Sequence, residues 1–261
     1  MRLLNILPFF QLASATILVK YDAAAGDDPK VLGLLNLEGW ERADWPSGKG
    51  MNNSVYFETE KDPAGVVAAH VHKDAHFTRA EYHALKGKTT KNAVYYIGYK
   101  VRFAAIEAGT IVFQWKNYDG QTVPTDNIPA ALVFRKDPNG DKAHTIHFGV
   151  QPDPTKKGAD TIWTKTLNMG KTYRFGIVVD THEKGFVQLY FNGDLATFIH
   201  PTTGEHVQKL PGNYWPGPIE SSDPKVGLYG ANTNNACDSY IYNVVIGTAL
   251  SDIATVAGIS I

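Results

Sequence analysis

Apolar and polar residues alternate along many short stretches of this chain, the period-two pattern of β-strands with one buried face. The clearest stretches are Val94–Phe103, Thr110–Trp115, Ala131–Arg135, Thr145–Val150, Tyr173–Val179, Phe186–Phe191, Lys225–Tyr229 and Ser239–Ile246. Clusters of Gly, Pro, Asn and Asp separate them. Asn192-Gly193, between Phe186–Phe191 and Leu195–Ile199, is a two-residue hairpin signal, and Asp137-Pro138-Asn139-Gly140 marks another turn. Thr78 to Lys86 also has helical propensity, but a helix would scatter Arg79, Glu81 and His83, so the stretch is assigned as strand. Pro201 to Pro224 reads as a long loop of the kind that forms lids or groove rims. Many antiparallel strands, few helical periods and no βαβ alternation predict an all-β sandwich of two antiparallel sheets. Its expected form is a jelly roll with one concave sheet.

Three segments stand out for their polar faces: Arg79-Ala80-Glu81-Tyr82-His83, Val112-Phe113-Gln114-Trp115-Lys116 and Lys225-Val226-Gly227-Leu228-Tyr229. Side chains alternate across a strand. Arg79, Glu81 and His83 therefore share one face, as do Gln114 and Lys116, and Lys225 and Tyr229. The opposite faces carry Ala80 and Tyr82, then Ile111, Phe113 and Trp115, then Val226 and Leu228. If the three strands lie side by side, their polar faces form one groove of cations, an amide, an imidazole and a phenol. That set suits an acidic polysaccharide.

The composition narrows the classes further. A chain of 261 residues, 43% hydrophobic, can bury a core as a single domain. A net charge of −1 gives no basic field, which argues against nucleic acid and leaves any attraction for an acidic ligand local to a groove. Met1-Arg2, the apolar run Leu3 to Leu12 and the small residues Ala13-Ser14-Ala15 match a secretory signal peptide, so residues 1–15 are expected to be removed and 16–261 to form the domain. A buried N-terminal strand is the other reading of that run. It is too short to span a membrane, and no other segment qualifies. Cys237, the lone cysteine, excludes an internal disulfide. Asn52-Asn53-Ser54 is a glycosylation sequon in a secreted chain. Nothing demands more than a monomer.

Uronic-acid polymers can be cleaved without water by β-elimination, in which the C5 proton is removed and the glycosidic oxygen leaves C4. The reaction needs a group that neutralises the C6 carboxylate, a base, and an acid for the leaving oxygen. Arg79 and Gln114 suit the first role. Tyr229, flanked by Lys225, Lys116 and Arg79, suits the other two. In a β-D-glucuronic residue the C5 proton and the C4 oxygen leave from the same ring face, so one tyrosine can serve as base and then acid. A sugar of opposite C5 configuration would need a second group, His83 or His76. Taken singly, Arg79 with Glu81 reads equally as a surface ion pair, and Gln114 with Lys116 as an ordinary solvated strand face.

On these residues the chain resembles the jelly-roll polysaccharide lyases, most closely the fungal glucuronan lyases of polysaccharide lyase family 20. Such lyases carry an Arg-x-Glu strand, a Gln-x-His strand and a Tyr-x-Lys-x-Gly-x-Tyr-x-Gln strand. Arg79-Ala80-Glu81 matches the first. Gln114-Trp115-Lys116 matches the second, with Lys116 at the histidine position. Lys225-Val226-Gly227-Leu228-Tyr229 matches the heart of the third, with Asp223 and Ala231 replacing its outer tyrosine and glutamine. The resemblance implies a secreted lyase acting on β-1,4-glucuronan. Tyr229 would be catalytic, Gln114 and Arg79 would bind the carboxylate, and Lys225 would contact substrate. Lys116, Glu81, His83 and His76 would tune charge or hold neighbouring sugars. It implies no catalytic cofactor. A structural calcium is expected where the terminal strands meet, with Asp238 and either Glu38 or Asp22 as oxygen ligands.

Three rival readings remain open. Lyase action on another polyuronate such as alginate is one, and a non-catalytic acidic-polysaccharide-binding jelly roll is another. The third is local: His70-Val71-His72 with His76 has metal-ligand spacing. A fourth pattern, the alternating acids Glu58, Glu60 and Asp62, resembles a glycosidase pair, but Asp62-Pro63-Ala64-Gly65 is a turn that places the trio at a strand end on the surface.

Overall fold

The computed structural model describes residues 15–39, 53–75, 77–117, 128–136, 144–151, 158–215, 222–230 and 234–261. Two antiparallel sheets are stacked as a jelly roll. The first, here the groove sheet, runs in the order Asp160–Thr166, Thr145–Val150, Ala130–Arg135, Ile111–Asn117, Ser222–Tyr229, Arg79–His83, Leu34–Glu38. The second, the back sheet, runs Asp194–Leu195, Gly185–Phe191, Thr172–Asp180, Val94–Ala105, Cys237–Gly247, Val67–Lys73, Phe57–Lys61. Ile17–Asp22 adds to it beside Cys237–Gly247, and Leu210–Gly212 beside Gly185–Phe191.

The core between the sheets is made by the alternate residues that the pattern assigned inward. Ala80, Tyr82, Phe113, Trp115, Val226 and Leu228 are all at most 2% exposed. Facing rings interlock across it: Phe103 meets Phe134 edge-on at 5.1 Å, and Tyr95 lies 5.4 Å from Trp115. Such edge-to-face and tilted pairs stabilise beyond their buried area. The Asn192-Gly193 turn is as expected, with φ of 51° and 96°, both left-handed, joining Phe191 to its partner Asp194.

Four expectations are corrected. The stretch Leu195–Ile199 is broken into Asp194–Leu195 and Phe198–Ile199: the Ala196 N–H still follows the hairpin to the Leu189 carbonyl, but Phe198–Ile199 leaves it to pair with His206–Val207. The region Pro201 to Pro224 is not one open loop. It contains His206–Val207 and Leu210–Gly212, and Tyr214 and Trp215 are buried, with Trp115 Nε1 donating to the Tyr214 carbonyl at 3.0 Å. Ile111 is not on the core face. A bulge between Ile111 and Phe113 against Ala130–Arg135 inserts one residue and reverses the alternation, so Val112 enters the core and Ile111 turns to the groove side. Asp62 does begin a turn, but it is buried, accepting from Ala64, Val66, Arg102 and Tyr242.

A C-terminal helix, Leu250–Ala257, was not anticipated. It packs on the outer face of the back sheet through Ile253 and Ala257. Gly98 and Gly176 make room for it: a Cβ on either would come within 3.0 Å of Ile253 or Ala257. Asp252 accepts from the N–H groups of Thr248 and Ala249 and so caps the first turn. Among the described residues no helix is long and apolar enough to cross a membrane.

Candidate functional site

The three polar segments are neighbours in the groove sheet. Ser222–Tyr229 lies between Ile111–Asn117 and Arg79–His83. Its register places Lys225 between Gln114 and His83, Gly227 beside Glu81, and Tyr229 beside Arg79. Gly227 has φ of 139°, and a Cβ there would come within 2.5 Å of the Ala80 carbonyl. The glycine is thus required by the bulge between Val226 and Tyr229, which keeps Tyr229 on the groove face against both neighbours.

Glu81 is the hub. The Gln114 amide donates to its Oε1, Arg79 Nη1 lies 3.7 Å from its Oε2, and Lys225 Nζ lies 4.0 Å from the same oxygen. Arg79 Nε pairs with Glu38 at 2.9 Å, and its guanidinium stands 4.5 Å over the Tyr229 ring. Arg79, Glu81, Gln114 and Tyr229 are therefore one connected group. The layers differ in exposure: Glu81, Gln114 and Lys225 are at most 2% exposed, whereas Arg79, Lys116 and Tyr229 are partly open to solvent. Burial pushes the Glu81 carboxyl up, against the pull of Lys225, Arg79, Gln114 and Lys116. Burial likewise pushes the Lys225 ammonium down, against Glu81. In each case the charge of the other opposes the shift that burial imposes.

His83 shares the groove face but has a different partner. Its Nε2 meets Asp223 Oδ2 at 3.0 Å, and Asp223 also accepts from Gly87 N at 3.2 Å and Thr89 Oγ1 at 3.0 Å. Burial lowers the His83 pKa despite the bond to Asp223, so the ring is held neutral and donates. His83 stands four residues along its strand from Arg79, about 13 Å at ~3.3 Å per residue. His76 lies outside the described residues, as do Ala231, Asn52 of the sequon, the expected turn Asp137-Pro138-Asn139-Gly140 and residues 1–14 of the expected signal peptide.

Sequence reasoning missed three parts of this face. Glu38 entered only as a calcium ligand; the alternation Leu35-Asn36-Leu37-Glu38 is a strand signal, but its place beside Arg79 comes from the pairing of the two strands. Asp223 was noted only as a departure, yet it organises one end of the site. The third part is a cleft of about 190 Å³ beyond Gln114, floored by Ile111, Ala131, Val133 and Gly149 and edged by Arg135 and Gln151. Asp238 lies elsewhere, on the outer face of the back sheet between His70 and His72. Glu38 is engaged by Arg79, and Asp22 caps the turn at Ala24.

Fold and groove together define a jelly roll of the kind found in polysaccharide lyases. Alginate lyase AlyC3 superposes with a TM-score of 0.56 at 14% identity, covering 84% of this chain and 91% of that one. The endo-β-1,4-glucuronan lyase of the fungus Trichoderma reesei gives 0.51 at 14%, covering 85% and 97%. A carbohydrate esterase from a Shiga toxin-encoding bacteriophage gives 0.53 at 12%, covering 90% and 99%. In sequence the chain matches no protein-family model and no curated protein.

Proposed function

We propose that this protein is a secreted polyuronate lyase whose substrate is β-1,4-glucuronan. The observation that carries the reading is the connected group of Arg79, Glu81, Gln114 and Tyr229 on adjacent strands of one sheet. Glu38 and Glu81 fix the guanidinium through Nε and Nη1, and Nη2 brings two further N–H donors to the substrate carboxylate. The Gln114 amide, anchored on Glu81 by one N–H, has a second to offer. Neutralising that carboxylate acidifies C5–H. The Tyr229 phenolate takes the C5 proton, the C–H electron pair becomes the C4–C5 double bond, and the C4–O bond breaks. The same phenol then protonates the leaving glycosidic oxygen, so no water is consumed and the enzyme ends as it began.

The commitment of His83 to Asp223 favours this single-tyrosine route, and with it a sugar whose C5 proton and C4 oxygen share a face. The burial of Gln114 and the internal balancing of Arg79 and Lys225 by carboxylates favour a second reading, a jelly roll that binds acidic polysaccharide without cleaving it. One experiment separates the two. Purified protein is incubated with glucuronan, alginate and pectic polymers, and ultraviolet absorbance of the unsaturated product is followed beside reducing ends. Elimination on glucuronan is expected. Binding without absorbance on any polymer would replace the lyase with the binder, and absorbance on alginate alone would move the substrate. Reducing ends without absorbance would mean hydrolysis.

A further inference from the structure

We propose that the outer face of the back sheet carries a site for a divalent d-block cation such as zinc, with His70 Nε2, His72 Nδ1 and an Asp238 carboxylate oxygen as ligands. The three donor atoms lie within 4.8 Å of one another. They come from paired strands: His70 and His72 project from the same face of Val67–Lys73, and Asp238 is the cross-strand partner of His72. Both ring nitrogens meet Asp238 Oδ1 at 2.8 Å.

The outward sides of the rings are what distinguish this cluster from an ordinary surface ion pair. His70 Nδ1 faces Glu60 at 2.7 Å, and His72 Nε2 faces Asp74 at 3.0 Å, with Asp74 held in turn by the Tyr56 hydroxyl at 2.7 Å. A carboxylate behind each imidazole can take the outward N–H and so free the inward nitrogen as a ligand, the arrangement that supports metal-ligating histidines. The inward nitrogens meet the Asp238 oxygen either through a proton on each ring or through a cation that takes the place of those protons. Stacking holds the rings in place, His70 on Tyr240 at 4.6 Å and His72 on Tyr56 at 6.0 Å. All three ligands are partly exposed, which leaves an entry path and room for water to complete a tetrahedron. Calcium prefers oxygen donors throughout, so two imidazoles in the set select against it. The cluster is on the sheet opposite the groove, so the ion would brace Val67–Lys73 against Cys237–Gly247 and take no part in substrate chemistry.

The test uses the full chain after chelator treatment and dialysis. Zinc chloride is titrated by calorimetry, and thermal unfolding is followed with zinc, with calcium and with neither. One zinc per chain and a rise in melting temperature with zinc but not calcium are expected. His72→Ala and Asp238→Asn should each weaken zinc at least tenfold, and Glu60→Gln by about 10–100-fold. Should a variant fail to fold, cobalt uptake by the unmutated chain gives a second readout, expected as the ligand-field bands of a tetrahedral nitrogen–oxygen site. No stoichiometric uptake, zinc affinity unchanged in His72→Ala and Asp238→Asn, or a cobalt spectrum identical to the aqua ion would each overturn the site.

Discussion

Asp223 stands where the resembling lyases carry a tyrosine, and its surroundings predict what it does. The residue is fully buried, and its carboxylate accepts from His83 Nε2 and Gly87 N and shares the single Thr89 hydroxyl proton with the Ser222 carbonyl. Replacing it with alanine leaves the His83 Nε2–H and the Gly87 N–H facing a void, while Thr89 keeps the Ser222 carbonyl at 2.6 Å. Two stranded donors at ~1–3 kcal/mol each suggest a loss of about 4 kcal/mol before any cavity cost. At ~2–4 °C per kcal/mol for a domain of this size, the melting temperature falls by about 8–16 °C. Asparagine should behave differently. With its carbonyl turned to His83 and Gly87, its amide can donate to the Thr89 hydroxyl, which still donates to Ser222. Every bond is kept, and Asp223→Asn should cost about 1 kcal/mol. Urea unfolding of the three proteins at neutral pH measures both differences, and elimination is assayed below each melting point. An alanine variant within about 1 kcal/mol of the parent would refute the acceptor geometry. An asparagine variant as unstable as alanine would show that charge, not acceptor count, carries the effect. A folded Asp223→Asn protein that had lost elimination would make Asp223 part of the chemistry and refute its assignment as a structural acceptor.

Tyr229→Phe should keep the fold and reduce glucuronan elimination by at least about 100-fold, the low end for a positioned acid–base group; ultraviolet product formation by a variant that keeps most of its turnover would remove Tyr229 from the mechanism. Arg135→Ala, at the edge of the small-residue cleft, should raise KM about tenfold with kcat little changed, since it would hold a second uronate away from the bond that breaks; a fall in kcat with constant KM would contradict that placement. The third concerns pH. Burial pushes the Asp62 carboxyl up, but hydrogen bonds from Tyr242, Val66 and Ala64 and the charge of Arg102 outweigh it and hold the carboxyl below its ordinary 3.8. A lowered folded-state pKa gives stability that is present above 3.8 and lost as pH falls through the folded value. Tyr242, pushed up to about 12 by burial and by Asp62, gives stability present below 10.0 and lost as pH rises toward 12. Asp62→Asn should therefore flatten the acid limb of stability, read as the urea midpoint from about pH 5 down to about pH 2; an unchanged slope would mean that other carboxylates set it.

What could be read from the chain follows from the range of the interactions involved. Facing along a strand is a local property, and Ala80, Tyr82, Phe113, Trp115, Val226 and Leu228 went inward as their alternation required. Where alternation failed, at Ile111, the cause was a bulge, one extra residue whose signature is the register with a strand some twenty positions later. The C-terminal helix packs on Val245 and Tyr96 and against Gly98 and Gly176, and the two glycines that make room for it carry no side chain to display a pattern. The charges of the site were legible as types but not as pairs. Read strand by strand, Arg79, Lys116 and Lys225 look like three cations facing a substrate. Side by side, Arg79 is shared between Glu38 and Glu81, and Lys225 leans on Glu81 from 144 positions away. Cross-strand partners are set by which strands become neighbours, and nothing within either strand encodes that. The consequence bears on function. A groove whose cations are already balanced does not draw in a polyanion by field strength, in keeping with a net charge of −1. On the proposed reading, recognition of a uronate would rest on donors held at fixed positions by buried carboxylates, which favours discrimination between carboxylate geometries over general attraction to acidic polymers.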